Sequence, residues 1–207
     1  MTATKNIIFD LGNVLYDIDF VKMNKVFNEF HVQNFEQYFT LSQSHSLFLD
    51  LEKGFVQPES FYDGFRAISN SDLTNEQIKE GWNALLVGFR PQSINWVKAH
   101  QNQFDTFLYS NTNQIHYDHF IPEFEKTGFN YPFETLFKKP YYSHQMGQRK
   151  PDPASFVYIL ENEGLVASET LFVDDNEPNI IAAASVGLKV LHLKAGMTVE
   201  NDIAASL

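Results

Sequence analysis

Short apolar runs that end on polar side chains alternate with stretches of helical periodicity along much of this chain. Three runs, Asn6-Phe9, Thr106-Tyr109 and Thr170-Val173, have the length and near-continuous apolar character of buried strands. A fourth, Leu188-Leu193, lacks a polar ending, and residues 137–143 offer another that Pro140 weakens. Helical patterns lie between them. Pro91 has the place of a first-turn proline for a helix carrying Ile94, Trp96 and Val97. Asp152-Pro153 opens a second, with Phe156, Ile159 and Leu160 on one face and Gly164 as its stop. Pro178 opens a third, ended by Gly187. Strands alternating with helices predict a parallel sheet with right-handed crossovers.

Residues 17–89 break the alternation, and no convincing strand is visible there. Phe20, Met23, Phe27 and Phe30 recur at helical spacing after Asp19, a fitting N-cap. Pro58 starts a segment presenting Phe61, Phe65 and Ile68, and Thr74 with Gln77 has capping-box spacing ahead of Ile78, Trp82 and Leu85. The pattern predicts a helical bundle inserted after the first strand, its phenylalanines packed as core.

Bulk properties narrow the function. With 207 residues, 43% of them hydrophobic and 20 of them Phe, the chain can bury one full core and a small accessory unit. The lack of cysteine excludes disulfides and thiolate metal sites. The N-terminus runs straight into the first strand without room for a signal peptide, and the expected location is cytoplasmic. No apolar stretch is long enough to cross a bilayer, so no membrane partner is expected. A net charge of −11 argues against nucleic-acid binding. It leaves room for a small anionic substrate beside a local lysine or cation.

The polar strand ends carry the chemistry. Asp10 follows Ile7-Ile8-Phe9, Ser110-Asn111 follows Phe107-Leu108-Tyr109, and Asp174-Asp175 follows Leu171-Phe172-Val173. Lys150 stands just before the helix that Asp152-Pro153 opens. Each alone reads as an ordinary turn or cap residue. Together, at strand carboxyl ends, they converge where open parallel sheets bind ligands. Three clustered carboxylates require a cation, and oxygen ligands without Cys or His suit Mg²⁺. Lys150 adds the charge that lets the site accept a phosphate dianion, with Ser110 and neighbouring N–H groups as donors. A carboxylate can then act as nucleophile, forming an aspartyl phosphate.

Taken together, Phe9-Asp10-Leu11-Gly12-Asn13-Val14, Ser110-Asn111, Lys150-Pro151-Asp152-Pro153 and Val173-Asp174-Asp175-Asn176 resemble the four motifs of the haloacid dehalogenase superfamily, in order. The resemblance implies an α/β fold: a Rossmann-like doubly wound parallel sheet (residues 1–16 and 90–207) with an inserted α-helical cap (17–89). It implies Asp10 as nucleophile, Lys150 as charge neutraliser, and Ser110 and Asn111 as phosphate binders. Mg²⁺ would be held by Asp10, the carbonyl of Gly12, Asp175, and Asp174 directly or through water. The sequence is similar to the branch that includes bacterial glucose-1-phosphate phosphatases, which implies a phosphatase for a small phosphorylated metabolite, a sugar phosphate.

One position departs from the pattern. Phosphatases of the superfamily carry a second Asp two residues after the nucleophile as general acid and base, and here Gly12 stands there. Either the leaving group needs little protonation, as for an anomeric phosphate, or another group such as His116, Asp17, Tyr16 or a water substitutes. Two alternatives follow: a 2-haloacid dehalogenase, against which the acidic pair Asp174-Asp175 argues, and a non-catalytic phosphate-binding protein. His116 is expected near the crevice facing substrate, whereas a metal site built from His116 and His119 is not expected. Arg149 reads as exposed, Lys138-Lys139 as solvated, and Arg90 as a hinge or surface residue.

Overall fold

Ile7, Ile8 and Phe9 are fully buried because their strand lies in the middle of a parallel sheet, with side chains alternating into cores on both faces. The computed structural model describes residues 3–32, 34–39 and 45–207. In chain order, β1 (Asn6–Phe9) is followed by β2 (Tyr16–Ile18), α1 (Phe20–Glu29), α2 (Ser46–Glu52), α3 (Pro58–Ser69), α4 (Asn75–Asn83) and β3 (Leu86–Phe89). Next are α5 (Pro91–His100), β4 (Asp105–Ser110), α6 (Gln114–Glu125), β5 (Lys139–Tyr142), α7 (Ser143–Met146) and α8 (Pro153–Glu163). The chain closes with β6 (Thr170–Asp174), α9 (Glu177–Ser185), β7 (Lys189–His192) and α10 (Val199–Asp202).

The large sheet has the order β5-β4-β1-β6-β7, all parallel. From β1 the chain adds β4 and β5 on one side and then crosses to add β6 and β7 on the other, so strand order reverses beside β1 and a crevice opens at the carboxyl edge. Phe9 is in register with Leu108 on one side and Val173 on the other. The next residues, Asp10 and Asp174, and Ser110, one position further past Tyr109, therefore emerge along one edge. Pro140 sits on β5, an edge strand, where a missing backbone donor is tolerated. The helices begin and end on the signals read from sequence: Asp152 accepts from Ala154 N, and Gly164 ends α8 in the left-handed region.

The helical insert has its own core. Phe27, Phe35, Phe48, Phe61, Phe65 and Trp82 are fully buried there, with the Phe27 and Phe35 rings stacked at 4.2 Å. Asp19 caps α1, and Thr74 and Gln77 close a reciprocal capping box on α4. The expectation that this region contains no strand is corrected. Tyr16–Ile18 and Leu86–Phe89 pair antiparallel, with a register shift at Asp17/Ile18. Strands of three and four residues are too short for alternation to show in sequence. The pair joins insert to sheet, and beside it Arg90 N–H donates to the Leu15 carbonyl at 2.9 Å. Among the described residues, no helix is long and apolar enough to cross a membrane.

Candidate active site

Asp10 leaves β1 with its N–H bonded to the Val173 carbonyl at 2.9 Å, which ties it to β6. The turn that follows is tight: the N–H groups of Leu15 and Tyr16 both reach the Leu11 carbonyl at 2.9 Å, and Asn13 takes a left-handed φ of 53°. Asn is among the residues that tolerate this conformation. Its side chain then serves two elements. Nδ2 donates to Asp175 at 2.9 Å, and Oδ1 accepts from Ile18 N at 3.3 Å, linking the acidic pair to the strand that enters the insert.

Lys150 is the centre of the cluster. Its Nζ donates to Asp10 at 2.6 Å and to Asp174 at 2.7 Å, and its side chain is 1% exposed. Asn111 holds the lysine in place reciprocally: its amide donates to the Lys150 carbonyl and accepts from the Lys150 N–H, both at 2.9 Å. The amide thus positions the lysine, while Asn111 still lines the crevice. Ser110 is buried at the end of β4.

Asp174 is wholly buried. Besides Lys150, it accepts from Asn176 N at 2.8 Å and from Asn179 Nδ2 at 3.1 Å. Asp175, by contrast, lines the crevice with Asp10 and Gly12. Asp10, Asp174 and Asp175 each offer an oxygen within 4.8 Å of the others.

The charges do not balance. Burial drives the Asp10 carboxyl up to about 8; Lys150 pulls against this, and Asp174 and Asp175 add to it. Burial likewise raises Asp175, opposed by its hydrogen bond from Asn13. Burial also works against the Lys150 ammonium, but Asp10 and Asp174 outweigh it and keep the lysine above its ordinary range. Three carboxylates around one lysine leave excess negative charge in a buried site. An oxygen-only donor set of this kind fits Mg²⁺, which binds few carboxylates and keeps several waters.

The crevice has a volume of about 380 Å³, the size of a small-metabolite site. The sheet side supplies Asp10, Asn111, Lys150, Asp175, Asn176 and Asn179. The insert side supplies Ile18, Phe20, Phe39, Glu52 and Leu85. Phe20 and Phe39 therefore line the crevice as well as packing the insert.

His116 lines the crevice, but both ring nitrogens are engaged: Nε2–H donates to the Trp82 carbonyl at 3.1 Å, and Nδ1 accepts from Asn113 at 3.2 Å. Burial pushes it down to about 4, so it is neutral near pH 7. His119 is exposed, whereas His116 is buried. Tyr16 OH donates to Glu123, and Asp17 pairs with Arg90 at 2.6 Å.

Arg149 corrects the expectation of an exposed side chain. Its Nε lies 2.8 Å from Glu52 of α2, and the pair is largely buried. Sequence reading passed over Glu52 because a lone carboxylate at a helix end carries no signal of its partner.

The chain matches the description "haloacid dehalogenase-like hydrolase" over residues 4–187. It belongs to that family. A curated relative, D-ribitol-5-phosphate phosphatase of Bacteroides thetaiotaomicron, is 26% identical over 98% of both chains. A solved HAD family enzyme from the same organism, a substituted form in complex with magnesium and inorganic phosphate, has 31% identity and a TM-score of 0.86. The match covers 94% of this chain and 96% of that one. A predicted HAD-like family hydrolase from Porphyromonas gingivalis gives a TM-score of 0.87 at 28% identity, covering 99% and 96%. The fold of this HAD-like hydrolase is the Rossmann-like α/β sheet expected from its sequence.

Proposed function

We propose that this hydrolase is a Mg²⁺-dependent phosphatase of a small polyhydroxylated phosphomonoester, a sugar or sugar-alcohol phosphate, working through an aspartyl-phosphate intermediate. The observation that carries the reading is the junction of Asp10, Lys150 and Asp175 at one end of a metabolite-sized crevice. The relative whose name specifies ribitol 5-phosphate supports the substrate class.

In this reading Asp10 attacks phosphorus, and the bond to the substrate oxygen breaks in line with it. Lys150 holds the Asp10 carboxylate and offsets phosphate charge, while Ser110 and Asn111 flank the phosphoryl group. Asp10, the Gly12 carbonyl and Asp175 would hold Mg²⁺, with Asp174 behind them, bonded to Lys150. The bound ion supplies charge neutralisation for the phosphoryl oxygens. His116 forms part of the substrate-facing wall. Residues 17–89 act as a cap that covers the crevice and excludes water.

The acidic cluster disfavours metal-free dehalogenation. Purified protein assayed for phosphate release from a panel of sugar and sugar-alcohol phosphates, with Mg²⁺ and then with chelator, tests the assignment. Chelator-sensitive turnover that Asp10→Asn abolishes is expected. Chloride release from a haloacid unaffected by chelator would overturn it.

A further inference from the structure

The proposed chemistry leaves one proton without a carrier. A sugar-alcohol oxygen departs as a basic alkoxide unless it is protonated, and Gly12 has no side chain to do so. His116 is neutral with both nitrogens engaged, and neither Tyr16, bonded to Glu123, nor Asp17 is among the residues that line the crevice. In-line displacement sends the leaving group away from Asp10, toward the wall that the insert provides. Among the described residues on that wall, Ile18, Phe20, Phe39 and Leu85 are apolar, and Glu52 is the one titratable group.

We infer that Glu52 is the general acid and base of this enzyme, carried by the insert instead of by the position after the nucleophile. The inference rests on the phosphatase reading. Glu52 is 7% exposed and reaches the crevice from the end of α2. Its Oε2 accepts from Arg149 Nε at 2.8 Å, and Arg149 directly precedes Lys150 in the chain. One ion pair thereby fixes the insert carboxyl relative to the lysine that holds the nucleophile. Burial raises the Glu52 pKa against the opposing charges of Arg149, Lys150 and Lys53, which favours the protonated form an acid needs.

The proton balance closes. In the first step the Asp10 oxygen bonds to phosphorus, the P–O bond to the alcohol breaks, and the alcohol oxygen takes the Glu52 proton. The resulting carboxylate is held by Arg149. In the second step water attacks phosphorus, Glu52 takes a proton from that water, and the Asp10–phosphorus bond breaks. Alcohol and phosphate leave, and both carboxyl groups return to their starting states.

The test is leaving-group dependence. Wild type, Glu52→Gln and Glu52→Asp are assayed on aryl phosphates from phenyl to p-nitrophenyl and on ribitol 5-phosphate. General acid catalysis should make wild-type kcat/KM nearly independent of leaving-group basicity. Glu52→Gln should lose about 10²-fold or more on phenyl phosphate yet only a few-fold on p-nitrophenyl phosphate. Glu52→Asp should recover part of the loss on phenyl phosphate. A purely structural role in docking the insert would lower all substrates together and leave the slope unchanged, which would overturn the inference. Wild-type inertness toward the whole series would instead sink the phosphatase reading, and this inference with it.

Discussion

Lys150 Nζ lies 2.6 Å from the Asp10 carboxylate, with both side chains nearly sealed from solvent. Removing the lysine leaves the buried Asp10 and Asp174 carboxyl groups without the cation they share. Lys150→Met should therefore lower stability by about 3–5 kcal/mol in the absence of Mg²⁺. It should also reduce kcat/KM by about 10²–10³-fold. Denaturant unfolding with and without Mg²⁺ checks the first effect: added Mg²⁺ should restore part of the lost stability, because a cation then occupies the same field.

Asn13 joins Asp175 to the first residues of the insert through its two side-chain bonds. Asn13→Gly removes the amide while accommodating the left-handed backbone at φ 53°. Mg²⁺ affinity should fall by about 10–100-fold, the usual effect of losing a hydrogen bond to a ligating carboxylate. Calorimetric titration with Mg²⁺ reads this directly. An unchanged affinity would show that the Asn13 bond does not orient Asp175.

The folded segment after α2 touches the sheet side closely at Gly54. A Cβ there would lie 2.0 Å from the His144 carbonyl oxygen, and φ is +71°. Gly54→Ala must displace the insert from α7 locally and strain its own backbone. A stability loss of about 1–3 kcal/mol is expected, with a raised KM because the crevice wall moves. Thermal unfolding and steady-state kinetics measure the two effects separately.

His116 gives the enzyme an acid limb. Its folded pKa, pushed by burial to about 4, lies below the ordinary 6.5 of an unfolded histidine. Between these values the unfolded chain binds the extra proton, so stability is fully present above about pH 6.5 and declines as pH falls toward 4. The loss should reach about 3 kcal/mol and then stop. His144, which burial also lowers to about 4, adds to the same window. His116→Gln should flatten the slope without abolishing it, as followed by urea unfolding at a series of pH values.

Much of this architecture was legible in the chain, for a physical reason. Ile7-Ile8-Phe9 and Leu171-Phe172-Val173 read as central strands because burial on both faces demands unbroken apolar runs, and the helix caps at Asp19, Thr74 and Asp152 are local signals. The joining of Asp10, Lys150 and Asp174 was anticipated from the shared strand edge. The Glu52–Arg149 pair was not, because 97 residues separate its members and neither carries a local mark of the other. Asn111 shows the same limit. Its position at the crevice follows from β4, but its pairing with the Lys150 backbone depends on how a distant loop packs.

At the two ends of the insert, Leu15 and Arg90 are already joined backbone to backbone. Everything between is thus a cassette with adjoining ends. In the proposed function, exchange of that cassette offers a route to new substrate preference that leaves the strand before Asp10 intact. If the leaving-group proton travels with the cassette, each exchange also resets which alcohols the enzyme can release.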